Sequence, residues 1–243
     1  MGSAQSNEAY VDKILDNANK TASEGKSSHF FRNYITVDEL VQIIPPRDYP
    51  LDLQHLGIIY KMDSHHTGSF SREELLAFVN FYVSFRALDK SVDADSKFQA
   101  YCTLHLWNDI SADGGAEAFE LWVCSLLAFN DRLGHKHPVA ESSKDKNGIP
   151  RYISKESIRT LHRLFNDRGG LGKDERAFFD SLRAAAQERQ QGQSHQDQLL
   201  SAISRYDEYI PTDVIRLFIQ SFVKGFKEFM ETLGFRPNIP LDA

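Results

Sequence analysis

The strongest constraint on the fold is a register that occurs twice, 35 residues apart. Ile35, Thr36, Glu39, Leu40, Ile43 and Ile44 are matched in spacing and character by Phe70, Ser71, Glu74, Leu75, Phe78 and Val79. In the first copy Thr36-Val37-Asp38-Glu39 reads as a capping box. The Thr hydroxyl accepts from the backbone of Glu39, whose carboxylate reaches back to the cap. The apolar residues beyond the cap recur at helical spacing, so each copy opens an amphipathic helix. A polar loop containing Gly68 stands before the second copy, between helices over about Leu53–Met62 and Arg72–Leu88.

The rest of the chain reads as helices joined by polar connections, with hardly any strand-like alternation. The first helix covers about Glu8–Asn19, with Tyr10, Val11, Ile14 and Leu15 on one face. The helix opened by Thr36 stops at Pro45-Pro46. Asp89–Lys97 reads as a linker, followed by helices over about Phe98–Asn108 and Ala118–Phe129 around a Gly-Gly loop. The segment Asn130–Arg151, rich in Lys, Ser, His and Pro, marks an internal boundary. Helices follow near Lys155–Phe165, Lys173–Gln190, Gln196–Tyr206 and Thr212–Leu233. The expected class is all-α, with an N-terminal region over 1–90 and a C-terminal helical region over 97–243.

With 41% hydrophobic residues in 243, the chain can bury a sizeable core, and no apolar run is long enough for a membrane span. Its start lacks the basic and apolar regions of a secretory signal. A net charge of -6 and the lack of a Lys/Arg cluster argue against a nucleic-acid partner. Cys102 and Cys124 match no metal-ligand or redox spacing and are expected reduced and buried. No nucleophile–base motif, phosphate-cradling loop or zinc signature appears, so an enzyme is not expected. A cytoplasmic location follows, with association to membrane or cytoskeleton.

Two segments carry oxygen-bearing residues at the spacing of a calcium loop. Such a loop supplies ligands from positions 1, 3, 5, 7, 9 and 12 of twelve residues, with Gly turning at position 6. In the first, Asp109, Ser111, Asp113, Gly115, Glu117 and Glu120 fill the ligand positions, and Gly114 is the turn. Ala116 stands at position 8, where a branched apolar residue is usual. The alternative is an Asp/Ser/Gly turn between two helices, since these residues favour turns. In the second segment Asp63, His65, Thr67, Ser69, Ser71 and Glu74 stand at the ligand positions. Phe70 is at position 8, and Ile58, Ile59 and Met62 precede it. With two carboxylates against four, this loop is expected to bind Ca2+ more weakly, or to fold without an ion. Adjacent His65 and His66 could suggest zinc, but such pairs are more often solvated.

Residues 53–88 and 98–129 resemble two units of the EF-hand superfamily, and Ile35–Ile44 is similar to the second half of another. The resemblance spans about residues 28–129. It implies helix–loop–helix pairs with additional C-terminal helices, and Ca2+ as the ligand. Hands of this family pair through position 8, so Ile35 is expected to face Phe70. A partner hand for Asp109–Glu120 would lie C-terminal to it. Tyr152-Ile153-Ser154 has the exit-helix register, but its twelfth position is Ser157; the competing segment, Asn166–Glu175, is too short for a standard loop. The Asp145-Lys-Asn147-Gly148 segment is expected as a solvated turn.

The apolar face of the last helix (Val214, Ile215, Leu217, Phe218, Ile219, Phe222, Val223, Phe226, Phe229, Met230, Leu233) reads as core; the alternative is a target-binding element. Met1-Gly2-Ser3-Ala4-Gln5-Ser6 fits N-myristoylation on Gly2, which alone gives only weak membrane association, and the same start also occurs as a cloning remnant. The function expected is a calcium-responsive regulator that binds a protein partner through an apolar helical surface. The alternative is a structural or scaffolding protein with mostly inactive loops, docked in a larger assembly.

Overall fold

The computed structural model describes residues 4–23, 33–43, 56–134, 144, 147–154, 157 and 209–235. The expected helices over 155–165, 173–190 and 196–206, and Gly2, lie outside these. The described chain is mostly helical, with seven helices, and divides into two compact units, Met1–Leu106 and Trp107–Ala243.

The first unit contains α1 (Ala4–Ser23), β1 (Tyr34–Ile35), α2 (Val37–Ile43), α3 (Leu56–Met62), β2 (Phe70–Ser71), α4 (Arg72–Leu88) and the start of α5 (Ala94–Ser111). Helix α1 buries Val11, Ile14, Leu15 and Ala18, a stripe at helical spacing, and packs against α2 and α4. On its outer side Arg72 forks onto Asp12, with Nε 2.7 Å from Oδ1.

Strands β1 and β2 are two residues each and pair antiparallel, Tyr34 with Ser71 and Ile35 with Phe70. Both Ile35 and Phe70 are fully buried. The facing of Ile35 and Phe70 that the resemblance implies is therefore present. Its cause is visible at both helix starts. Thr36 Oγ1 accepts the Glu39 N–H at 3.3 Å, while a Glu39 carboxylate oxygen accepts the Thr36 N–H at 2.9 Å. Ser71 and Glu74 form the same reciprocal box at α4. Capping fixes where each helix begins, and the residue just before the cap is left extended and free to pair.

Helix α5 begins four residues earlier than the linker reading implies. Asp89 accepts the Ser91 N–H at 2.9 Å, and Lys97 pairs with Asp89 and Asp93. These polar residues build a helix entry. Phe98, buried in α5, meets Phe78, Tyr82 and Phe85 of α4 edge-on. Gly57 of α3 lies so close to α5 that a Cβ there would stand 2.9 Å from the Cys102 carbonyl carbon.

The second unit contains the end of α5, α6 (Gly115–Gly134), β3 (Tyr152–Ser154), β4 (Tyr209–Pro211) and α7 (Thr212–Thr232). Strands β3 and β4 pair antiparallel, with Ile153 opposite Ile210. Tyr152–Ser154, which has the exit-helix register, thus finds its partner beside α7 and not at Ala116. Helix α7 lays Val214, Ile215, Ile219, Val223 and Met230 into the core and packs on α6. Phe222 stacks on Phe119, and Trp107 meets Phe226 edge-on. Five residues of the α7 apolar face are therefore core and Phe218, Phe222 and Phe226 are half-buried, while Leu217, Phe229 and Leu233 are exposed. Asp145 lies outside the described residues; within the expected turn, Asn147 and Gly148 are described, Gly148 has a φ of 76°, and Lys144 bridges to Pro150. No helix among the described residues is long and apolar enough to cross a membrane.

Candidate metal-binding loops

The segment Asp63–Glu74 is a loop between α3 and α4. Asp63, at the end of α3, is fully buried. Its two carboxylate oxygens accept the N–H groups of Thr67 at 3.0 Å and Gly68 at 2.7 Å. This folds the chain back on itself, and Gly68 takes the required left-handed turn with a φ of 83°. His66 also adopts a positive φ of 52°; its N–H donates to the Asp63 carbonyl, and its ring stacks on Tyr60 at 4.2 Å.

Glu74 closes the other end. One of its oxygens accepts the His65 N–H at 2.9 Å and the Ser64 hydroxyl at 3.3 Å, and lies 2.9 Å from His65 Nδ1. The other accepts the Ser71 N–H at 3.0 Å and the Ser71 hydroxyl at 2.9 Å. Burial pushes the Glu74 carboxyl toward a higher pKa. The hydrogen bonds from Ser71 and His65 outweigh that and hold it below its usual value. Thr67 turns its hydroxyl onto the Ser69 carbonyl at 3.1 Å. Most of the oxygens at ligand positions are thus engaged by the loop's own donors. His65 and His66 take different partners and do not converge as a zinc pair.

The segment Asp109–Glu120 takes a different form from the expected loop. Helix α5 runs on through Ser111 and α6 begins at Gly115, leaving only Ala112–Gly114 between them. Asp109 and Ser111 are helical, Asp113 is exposed in the turn, and Gly115, Glu117 and Glu120 belong to α6. The expected boundaries at Asn108 and Ala118 are therefore corrected by three residues on each side. The physical reason is the Gly-Gly pair. Gly114 leaves α5 through a left-handed conformation, φ 73°, and the Gly115 N–H returns to the Ala112 carbonyl at 2.9 Å. A Cβ on Gly115 would lie 1.8 Å from the Asp109 carbonyl oxygen, so the two helices turn tightly only because that atom is missing.

Glu120 faces away from this corner. It accepts from Gln220 Nε2 at 2.8 Å and stands 3.5 Å from Arg216 Nε, both on α7. Composition hid this role, because a carboxylate five residues into a helix reads the same whether it serves an ion or a neighbouring helix. Among the described residues, no three His, Cys, Asp or Glu side chains come together as a metal-holding group. Of the two segments, the one with fewer carboxylates has the loop geometry, and the one with more has become a helical corner.

No protein-family model matches the chain, and comparison with curated proteins and with solved structures returns no match.

Proposed function

We propose that the chain is an EF-hand-type helical protein whose calcium-loop positions serve structure, and that it acts by docking a protein partner. The observation that carries this reading is the Glu74 carboxylate, which is saturated by Ser64, His65 and Ser71 of its own loop. A buried carboxylate satisfied in this way needs no cation to balance it. The Ile35–Phe70 pairing is read as the contact of an EF-hand pair, and Glu120 as a tie between α6 and α7. Exposed Phe81 and Tyr101, 5.6 Å apart, offer apolar surface of the kind that interfaces bury. No catalysis is part of this reading. The location proposed is cytoplasmic, with weak membrane association where Gly2 is acylated.

The test is a calorimetric titration of calcium into the chelator-stripped protein with magnesium present. The docking reading expects no saturable heat below about 10⁻³ M and no change in melting temperature. A site in the sensor range of about 10⁻⁷–10⁻⁵ M, lost in Glu74→Gln, would replace it with the calcium-responsive regulator. That second reading is favoured by one observation: Asp63 holds the Thr67 and Gly68 N–H groups and Gly68 turns at positive φ, as a calcium loop requires.

A further inference from the structure

We infer that His65 determines whether the Asp63–Glu74 loop takes calcium, because it occupies from within the chain the Glu74 oxygen that the ion would use. This rests on the self-closed loop of the docking proposal. The imidazole Nδ1 lies 2.9 Å from Glu74 Oε1, the same oxygen that accepts the His65 backbone N–H. The His65 side chain is 73% exposed and the Glu74 side chain 3%, so the ring reaches in from solvent over a buried carboxylate.

Every other shaping feature of the loop is already in place. Asp63 gathers the Thr67 and Gly68 N–H groups, Gly68 turns, Ser71 and Glu74 cap α4, and Phe70 is anchored opposite Ile35. Position 3 is the one that departs in chemistry. Calcium selects oxygen ligands and takes imidazole poorly. The ring withholds an oxygen from the third position and donates to the carboxylate at the twelfth. A carboxylate at residue 65 would reverse both effects. The loop would hold three carboxylates in place of two, and these repel one another until a divalent cation enters.

The experiment compares wild type, His65→Asp and His65→Asp/Glu74→Gln as full-length, chelator-stripped chains, by calcium calorimetry with far-UV circular dichroism on each. The expected result is a saturable site in His65→Asp at least about tenfold tighter than any in wild type, and lost in the double variant. If His65→Asp keeps its helicity and binds no tighter than a silent wild type, the assignment of His65 fails while the docking reading stands. If wild type itself binds in the micromolar range, the docking reading fails. His65 keeps its assignment then only if His65→Asp is still at least tenfold tighter. His65→Asn, which brings an oxygen without a charge, decides the same comparison if His65→Asp loses helicity.

Discussion

Ile153 lies opposite Ile210 across an antiparallel pair, and Ser154, the next residue, accepts the N–H of Ser157. In the first unit Ile35 lies opposite Phe70, and Thr36 accepts the N–H of Glu39. Each unit thus uses the same device, a buried extended residue followed by a hydroxyl that accepts the backbone N–H three residues on. Both isoleucines of the second pair are buried, as are Ile35 and Phe70. Truncating Ile153 to Ala should cost about 2–5 kcal/mol, and truncating Phe70 about 3–5 kcal/mol. Urea unfolding of each variant checks this, and a loss below 1 kcal/mol would show that the pairs are incidental.

The Gly-Gly corner separates turn chemistry from ion chemistry. Gly115→Ala places a methyl 1.8 Å from the Asp109 carbonyl oxygen and should destabilise by about 2–3 kcal/mol. Gly114→Ala meets open space but keeps a φ of 73°, which costs about 1–2 kcal/mol. Asp113→Ala, exposed in the turn, should change stability by less than about 0.5 kcal/mol. The order of the three denaturation midpoints is the test. Asp113 ranking first would mean that its carboxylate has a role the corner does not explain.

Glu74 makes the first unit sensitive to acid. Its carboxyl is held below its usual value, because hydrogen bonds from Ser71 and His65 overcome the opposing effect of burial. A group depressed in the folded state adds stability that is complete above its unfolded pKa, near 4.5, and is lost as the pH falls through its folded value. Wild type should therefore lose stability on acidification below that point more steeply than Glu74→Gln. Thermal melts from pH 6 to pH 3 read the difference, and parallel curves would contradict it.

Glu120→Gln tests the tie between α6 and α7. The change removes the charge facing Arg216 and keeps an oxygen for Gln220. The expected loss is about 1 kcal/mol, with no effect on any calcium heat. A calcium signal that disappears in this variant would return Glu120 to the role of an ion ligand.

Both cysteines should resist modification in the native state. Cys102 and Cys124 are buried, and burial pushes the Cys102 thiol up to about 12, leaving little thiolate to react. A thiol-specific chromophore should label neither until denaturant is added. Rapid labelling of one thiol in the folded protein would place that thiol at a locally opening segment.

The sequence carried the helical class, the Thr36–Glu39 box and the core side of α7, because each depends on spacing along one helix or on a local cap; the facing of Ile35 and Phe70 was expected only through the resemblance. Where the helices end around Asp109–Glu120 was not legible, for a physical reason. Ligand oxygens and turn formers are the same residue types, so Asp109, Ser111 and Asp113 looked like a coordination set. What decided their conformation was the space available at Gly115, which no count of carboxylates reports. At Asp63–Glu74 the apolar frame around Phe70 was legible, but the backbone N–H groups that close the loop on Asp63 and Glu74 were not, since they are present in any sequence. Asp89, Ser91, Asp93 and Lys97 looked like a linker because helix-entry residues are as polar as solvated ones. The pairing of Ile153 with Ile210 spans 57 positions and has no local signature.

The missing methyl at Gly115 also limits how this chain can drift. In the twelve residues from Asp109 to Glu120, exposed Asp113 and Glu117 are free to vary, while the position pressed against the Asp109 carbonyl admits one residue type. Descendants of this sequence should keep the glycine and shed the acids. A corner that began with the lettering of a calcium loop would then become less recognisable with time while its shape stayed the same.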